Sequence, residues 1–302
     1  MRLAYALLPL VLLVATTPVR ATCPPEGWNA GQLQALRESG FKVEDAARRD
    51  ELALGLLDCL GDADPVVRDG TAFEGLSRWM REKSLSPATL AQIRESLQPE
   101  LAAAAPDDEL GVRQPFAALV MSEVARTDRV EPWLTPEQRA GLVSDAATFL
   151  SGVRDYRGFV DGQGWRHGVA HGSDVALQLV VNPAIDRAQV DTLLAAVRAQ
   201  VVAADGHAYI HGEPGRLARV VYFAAQRNLH DRAYWDTWLK GTASPGPLES
   251  WNAAFTSEAG LARLHDTRLF LQALLVLVVR SDEPELRDRL QPAVLAALAP
   301  IP

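Results

Sequence analysis

The chain has 302 residues, 48 % of them hydrophobic, with 30 basic side chains against 38 acidic ones and a formal charge of −8. So acidic a protein lacks the electrostatic term that drives nucleic-acid binding, and no basic cluster with interleaved aromatics offsets this. The same charge makes anionic membrane surfaces poor partners.

Residues 1–21 read as a secretory signal peptide. Arg2 precedes the apolar run LAYALLPLVLLVA, which is too short to span a bilayer, and Val19 and Ala21 provide a cleavage site after Ala21. A lipoprotein reading with Cys23 acylated fits less well, because Arg20 and Thr22 stand where leucine-like and small residues are wanted. Removing the leader takes away two arginines and no acids, leaving 28 basic against 38 acidic residues. Residues 22–302 are then expected to form a single all-helical domain, periplasmic or secreted. The other long apolar stretch, LFLQALLVLVV from Leu269, is too short to span and predicts a buried helix, so no membrane span is expected after leader removal. Two cysteines remain in an exported chain. A Cys23–Cys59 disulfide is one reading, and a buried free Cys59 with a mobile Cys23 is the other.

From Glu44 onward the pattern is helical. Ala53, Leu56, Leu57 and Leu60 recur at helical spacing, while period-two alternation is scarce. Asp64-Pro65, Ser86-Pro87 and Thr135-Pro136 each put a capping side chain before a proline at the first helical position, and Gln138 completes a capping box with Thr135. Breaks such as GDADP, APDDELG, VEPWLTP, RDYRGFVDGQG, VVNPAID, DGHAYIHGEPG, GTASPGP and RSDEPE separate roughly a dozen helices. Short connections imply antiparallel hairpins, and stacked hairpins imply a solenoid or helical array. DADPVVRDGTAFEGL resembles the second-helix signature of HEAT-type repeats, and DEPELRDRLQPAVLAAL from Asp282 is its nearest echo. The expected fold is therefore all-α, of HEAT-like helix pairs.

Two of the six histidines lie four apart in GWRHGVAHGSD. On a helix running from Gly164 to Val181, His167, His171, Asp174 and Gln178 would share a stripe about 60° wide. Gly164, Gly168 and Gly172 would form a bare strip beside it, and Trp165, Val169, Val175, Leu177, Leu179, Val180 and Val181 would cover most of the rest. Such a seam can be read in three ways. His167 and His171 with Asp174 could hold a divalent transition metal such as zinc, although Gly168 replaces the glutamate that metalloproteases carry next to the first histidine. Carboxylates drawn from Asp161, Asp174 and Glu213 could do acid–base work in a hydrolase. Or the seam could be a hydrogen-bonded core network or a groove that binds a small ligand or a periplasmic protein, with Asp161, Trp165 and Glu213 alongside. A serine triad is excluded, since Ser173, two residues from His171, points to nearly the opposite side.

His207 and His211 repeat the spacing, but the glycines around them suggest an extended segment on which it loses meaning. Glu213 and Arg216 suggest a structural pair, His230 and His265 read as isolated, and Trp235 and Trp238 as packing anchors.

The order DPVVRDGTAFEGLSRWM, RDYRGFVDGQGWRHGVAHGSD and GEPGRLARVVYFAAQ resembles the bacterial family called domain of unknown function 2785. Its core is matched by Gly164, Trp165, His167, His171 and Asp174, preceded by Asp155, Arg157 and Gly158 and followed by Gly212, Glu213, Arg216, Leu217 and Ala218. The chain departs from the family's pattern at Gln114-Pro115-Phe116 and at Pro214-Gly215. The resemblance implies an all-helical fold and a site at these residues, with no assigned chemistry.

Overall fold

Capping chemistry sets the helix starts in the computed structural model, which describes residues 23–103 and 109–302. The expected leader, residues 1–21, and most of the APDDELG break lie outside the described residues. Asn29 caps α1 (Ala30–Glu38) and Asp45 caps α2 (Ala46–Gly55), each side chain accepting a backbone N–H three residues on. Asp64 caps the short α3 (Pro65–Val67), which runs through a π-helical turn into α4 (Glu74–Arg81). Ser86 caps α5 (Pro87–Ala102), α6 spans Arg113–Val130, and a full Thr135/Gln138 capping box starts α7 (Pro136–Gly152). Then come strands β1 (Phe159–Val160) and β2 (Gly164–Trp165), α8 (Gly168–Val180), α9 (Arg187–Ala199) and α10 (Glu213–Gln226). The remainder is α11 (Arg232–Thr242), a 3-10 helix (Trp251–Thr256), α12 (Glu258–Val279) and α13 (Pro284–Leu298). The described residues are thus mostly helical, with one two-stranded antiparallel sheet among them.

Alternate helices lie against each other. α4, α6, α8, α10 and α12 touch in succession, and α5, α7 and α9 form a second row beside them. α8 sits in the middle, against α6, α7 and α10. A continuous set of buried apolar side chains runs from Leu33 in α1 to Ala297 in α13, and includes Trp235 and Trp238 with ring centroids 6.3 Å apart. α12 covers the apolar stretch from Leu269, and no helix among the described residues is long and apolar enough to cross a membrane. Cys23 and Cys59 are joined by a disulfide with Cα atoms 5.1 Å apart. Closing that loop contributes about 4 kcal/mol on a chain-entropy account.

Asp128 joins α6, α7 and the end of α8. It is 1 % exposed and accepts from the N–H groups of Trp133 and Leu134, from Arg139 and from Asn182.

The helix expected from Gly164 begins instead at Gly168. Gly162 and Gly164 have φ of +75° and +76°, and His167 is left-handed at φ 56°. Three left-handed positions in six residues turn the chain into a hairpin, with Phe159 opposite Trp165 and Val160 opposite Gly164. Trp165 therefore leaves the buried apolar face on which a helix would have put it and stands 38 % exposed.

Candidate functional site

The hairpin is held from below by Arg68, which is fully buried. Its Nη2 donates to the carbonyls of Gln163 at 3.0 Å and Trp165 at 3.4 Å, and its Nη1 to that of Asp62. A Cβ on Gly164 would press on Pro65 and this guanidinium at 3.0 and 3.1 Å, so the missing side chain lets the hairpin settle there. Arg68 also stands over the ring of Phe116, at 4.9 Å from its centroid. At Gly172 a Cβ would meet Leu150 of α7 at 3.0 Å, and at Gly168 it would meet Val153 at 3.1 Å. These bare positions let α8 approach α7 closely.

His167 ends the hairpin and His171 lies in the first turn of α8, its N–H bonded to the His167 carbonyl at 2.8 Å. The His171 ring is 7 % exposed, meets Phe116 edge-on at 5.2 Å, and places Nδ1 3.1 Å from the Pro115 carbonyl. Because a carbonyl only accepts, Nδ1 carries the hydrogen and Nε2 keeps a free lone pair. Burial, with His167 beside it, pushes His171 down to about 3. His167 stacks on Trp165 at 4.0 Å, and burial, Arg216 and His211 push it down to about 4. Its Nδ1 is buried with no hydrogen-bond partner among the described residues. Both imidazoles are uncharged at neutral pH.

A third ring joins them that the sequence reading left aside. The segment with His207 and His211 is non-helical, as its glycines suggest, and the two rings go to different places. His207 stacks at 5.9 Å on Tyr156, while His211 lies 5.8 Å from Trp165 and 6.5 Å from His167. Gly158 makes this possible, since a Cβ there would come within 2.0 Å of the His211 ring. Phe159, 45 % exposed, completes the aromatic edge at 5.0 Å from Trp165. The useful signal was the glycine, whose partner 53 residues on only folding reveals.

The carboxylates are placed differently from the sequence reading. Arg216 does not pair with Glu213; both oxygens of Asp174 bind its Nη1, at 2.6 and 2.7 Å. Glu213, 2 % exposed, accepts the His211 N–H at 2.9 Å. Burial raises the Asp174 carboxyl against the opposing pull of Arg216. Asp161 is exposed on the hairpin turn, and Gln178 of the anticipated stripe accepts from Arg129. Among the described residues no three His, Cys, Asp or Glu side chains are grouped to hold a metal ion, so His167, His171 and Asp174 do not form the ligand set that their spacing suggested. His230 is not isolated either. It is 3 % exposed and bonds Asp191 at 2.7 Å, which also accepts from Tyr234. His265 faces the Tyr209 carbonyl at 3.3 Å.

A family model described as a protein of unknown function, DUF2785, matches residues 106–276, more than half of the chain. The chain belongs to the DUF2785 family. The matched span holds the rings of Phe159, Trp165, His167, His171 and His211 together with Asp174, Glu213 and Arg216, whereas Arg68, which carries the hairpin, precedes it. No curated protein and no solved structure matches this DUF2785 chain.

Proposed function

We propose that this protein is an exported binding module of HEAT-like stacked helix pairs, whose ligand seat is the shelf of Trp165, His167, His171 and His211 with the Asp174–Arg216 pair at its edge. The succession of alternate helices in two rows is what stacked hairpins produce. Export rests on the leader and is favoured by the Cys23–Cys59 bridge, a bond typical of oxidising compartments.

One observation carries the binding reading: His167 keeps a buried, unpartnered Nδ1 while its face stacks on an exposed tryptophan. Buried polar atoms are normally satisfied, and one left open beside an exposed aromatic ring suits a ligand with a flat face and a hydrogen-bonding group. A neutral small molecule fits best, because neither imidazole carries charge at neutral pH. Hydrolysis is less favoured. Bases held near 3 and 4 abstract protons weakly at neutral pH, and Asp174 and Glu213 already have partners.

The test is a thermal-shift screen of neutral metabolites, zinc and chromogenic ester, amide and glycoside substrates against wild type, Trp165→Ala and His167→Ala. A neutral compound that raises Tm in wild type and in neither variant is the expected result. Hits indifferent to both substitutions would sink the assignment. Turnover lost on His171→Ala would make the site catalytic.

A further inference from the structure

α10 and α12 lie side by side, and between them runs an open groove of about 550 Å³, in the size range of small-molecule sites. Leu269, Ala273, Val276 and Leu277 of α12 give it an aliphatic floor, and Val276 is 54 % exposed. Val279, equally exposed, extends the apolar strip. Arg216 and Arg219 line the α10 side.

The charge around this strip is one-sided. Arg216 is held by Asp174, and Arg219 also feels that carboxylate, but Arg219 is exposed and makes no direct hydrogen bond or ion pair among the described residues, so the two guanidiniums still outnumber the one carboxylate. On α10 the only acid is the buried Glu213, and after Glu258 the only acid of α12 is the fully buried Asp266. A local excess of positive charge beside exposed aliphatic side chains, in a chain of net charge −8, selects for an occupant that is both anionic and apolar.

We infer that this groove binds a free single-chain carboxylate, with its hydrocarbon tail along Leu269–Leu277 and its headgroup on Arg219. A guanidinium can take a carboxylate through two parallel hydrogen bonds, which fixes the head while the floor removes the tail from water. The two parts discriminate: a short anion lacks the tail, and a cationic amphiphile meets the wrong charge. This site does not depend on the ligand of the imidazole shelf, although Arg216 stands between the two.

Sodium laurate below its micellar concentration is the probe, titrated calorimetrically into the mature protein, with acetate, dodecyltrimethylammonium and phosphatidylglycerol vesicles as comparisons. One laurate per chain is expected, with affinity reduced at least tenfold in Arg219→Glu and in Val276→Glu and little binding of acetate or the ammonium amphiphile. Both substituted side chains are exposed, and Arg219→Ala, with a smaller loss, serves if charge reversal disturbs the fold. The inference is overturned if laurate does not bind, if the Arg219 variants bind it as well as wild type, or if the ammonium amphiphile binds equally. Vesicle binding without binding of free laurate would also overturn it, making the face a membrane contact.

Discussion

Replacing His171 by alanine is expected to destabilise the protein at neutral pH and to cost almost nothing near pH 4. At pH 7 the substitution orphans the buried Pro115 carbonyl and removes the ring edge from Phe116. An unmet buried acceptor costs about 1–3 kcal/mol and the lost packing a similar amount, so a total of about 4 kcal/mol is expected. The pH dependence has the opposite effect. Folding holds His171 neutral by pushing it from the ordinary histidine value of 6.5 down to about 3, so below 6.5 the unfolded chain binds a proton that the folded one refuses. Stability is therefore full above 6.5 and is lost as pH falls towards 3. By pH 4 the wild type has lost about 2.5 pH units of linkage, about 3.4 kcal/mol, through this group. Alanine has no proton to bind, so the two proteins should converge. Urea denaturation followed by far-UV circular dichroism at both pH values, with the disulfide intact, measures the difference. An equal gap at pH 7 and pH 4 would refute the reasoning, because it would mean that the imidazole titrates normally in the folded protein.

Three further outcomes follow from particular contacts. Gly158→Ala should expel His211, shift Trp165 emission to the red and cost about 1–3 kcal/mol, whereas Gly152→Ala, with nothing within 4 Å of the new Cβ, should be neutral or slightly stabilising in thermal melts. Burial raises the Asp266 carboxyl to about 7 although it accepts the Tyr209 N–H at 2.8 Å, so the folded chain holds a proton that the unfolded chain has released, and stability falls as pH rises from about 4 to 7. Asp266→Asn keeps the acceptor and cannot ionise; it should match wild type at pH 4 and exceed it at pH 8 by up to about 4 kcal/mol, and a constant offset in denaturant melts would contradict this. Asp128→Ala strips the partner from buried Arg139 and from two loop N–H groups, and a loss of about 3–5 kcal/mol in urea melts is expected.

Much of the helical framework was legible locally because its causes are local. Asp64, Ser86 and Thr135 cap helices where a polar side chain precedes proline, since those oxygens reach N–H groups two or three residues away. The histidine motif has a 3.6-residue period from Gly164 onward, but that period runs through three glycines, which carry no side chain to enforce a helix. Two of the glycines flanking the hairpin turn adopt positive φ, and His167 follows them into the left-handed region. Glu213 and Arg216 are three residues apart in sequence, but Arg216 is the partner of Asp174 on a different helix.

The sequence by itself determined the helical class, the cap positions and the acidic character, because composition, periodicity and side-chain-to-backbone capping act over a few residues. Tertiary structure alone decided which rings meet. It brought His211 over Gly158, set Nδ1 of His171 on the Pro115 carbonyl, slid Arg68 under the hairpin and turned Asp174 towards Arg216. Those contacts join residues 42 to 95 positions apart. Their geometry depends on how closely α6, α7, α8 and α10 approach one another, and that is set by the packing of the whole core.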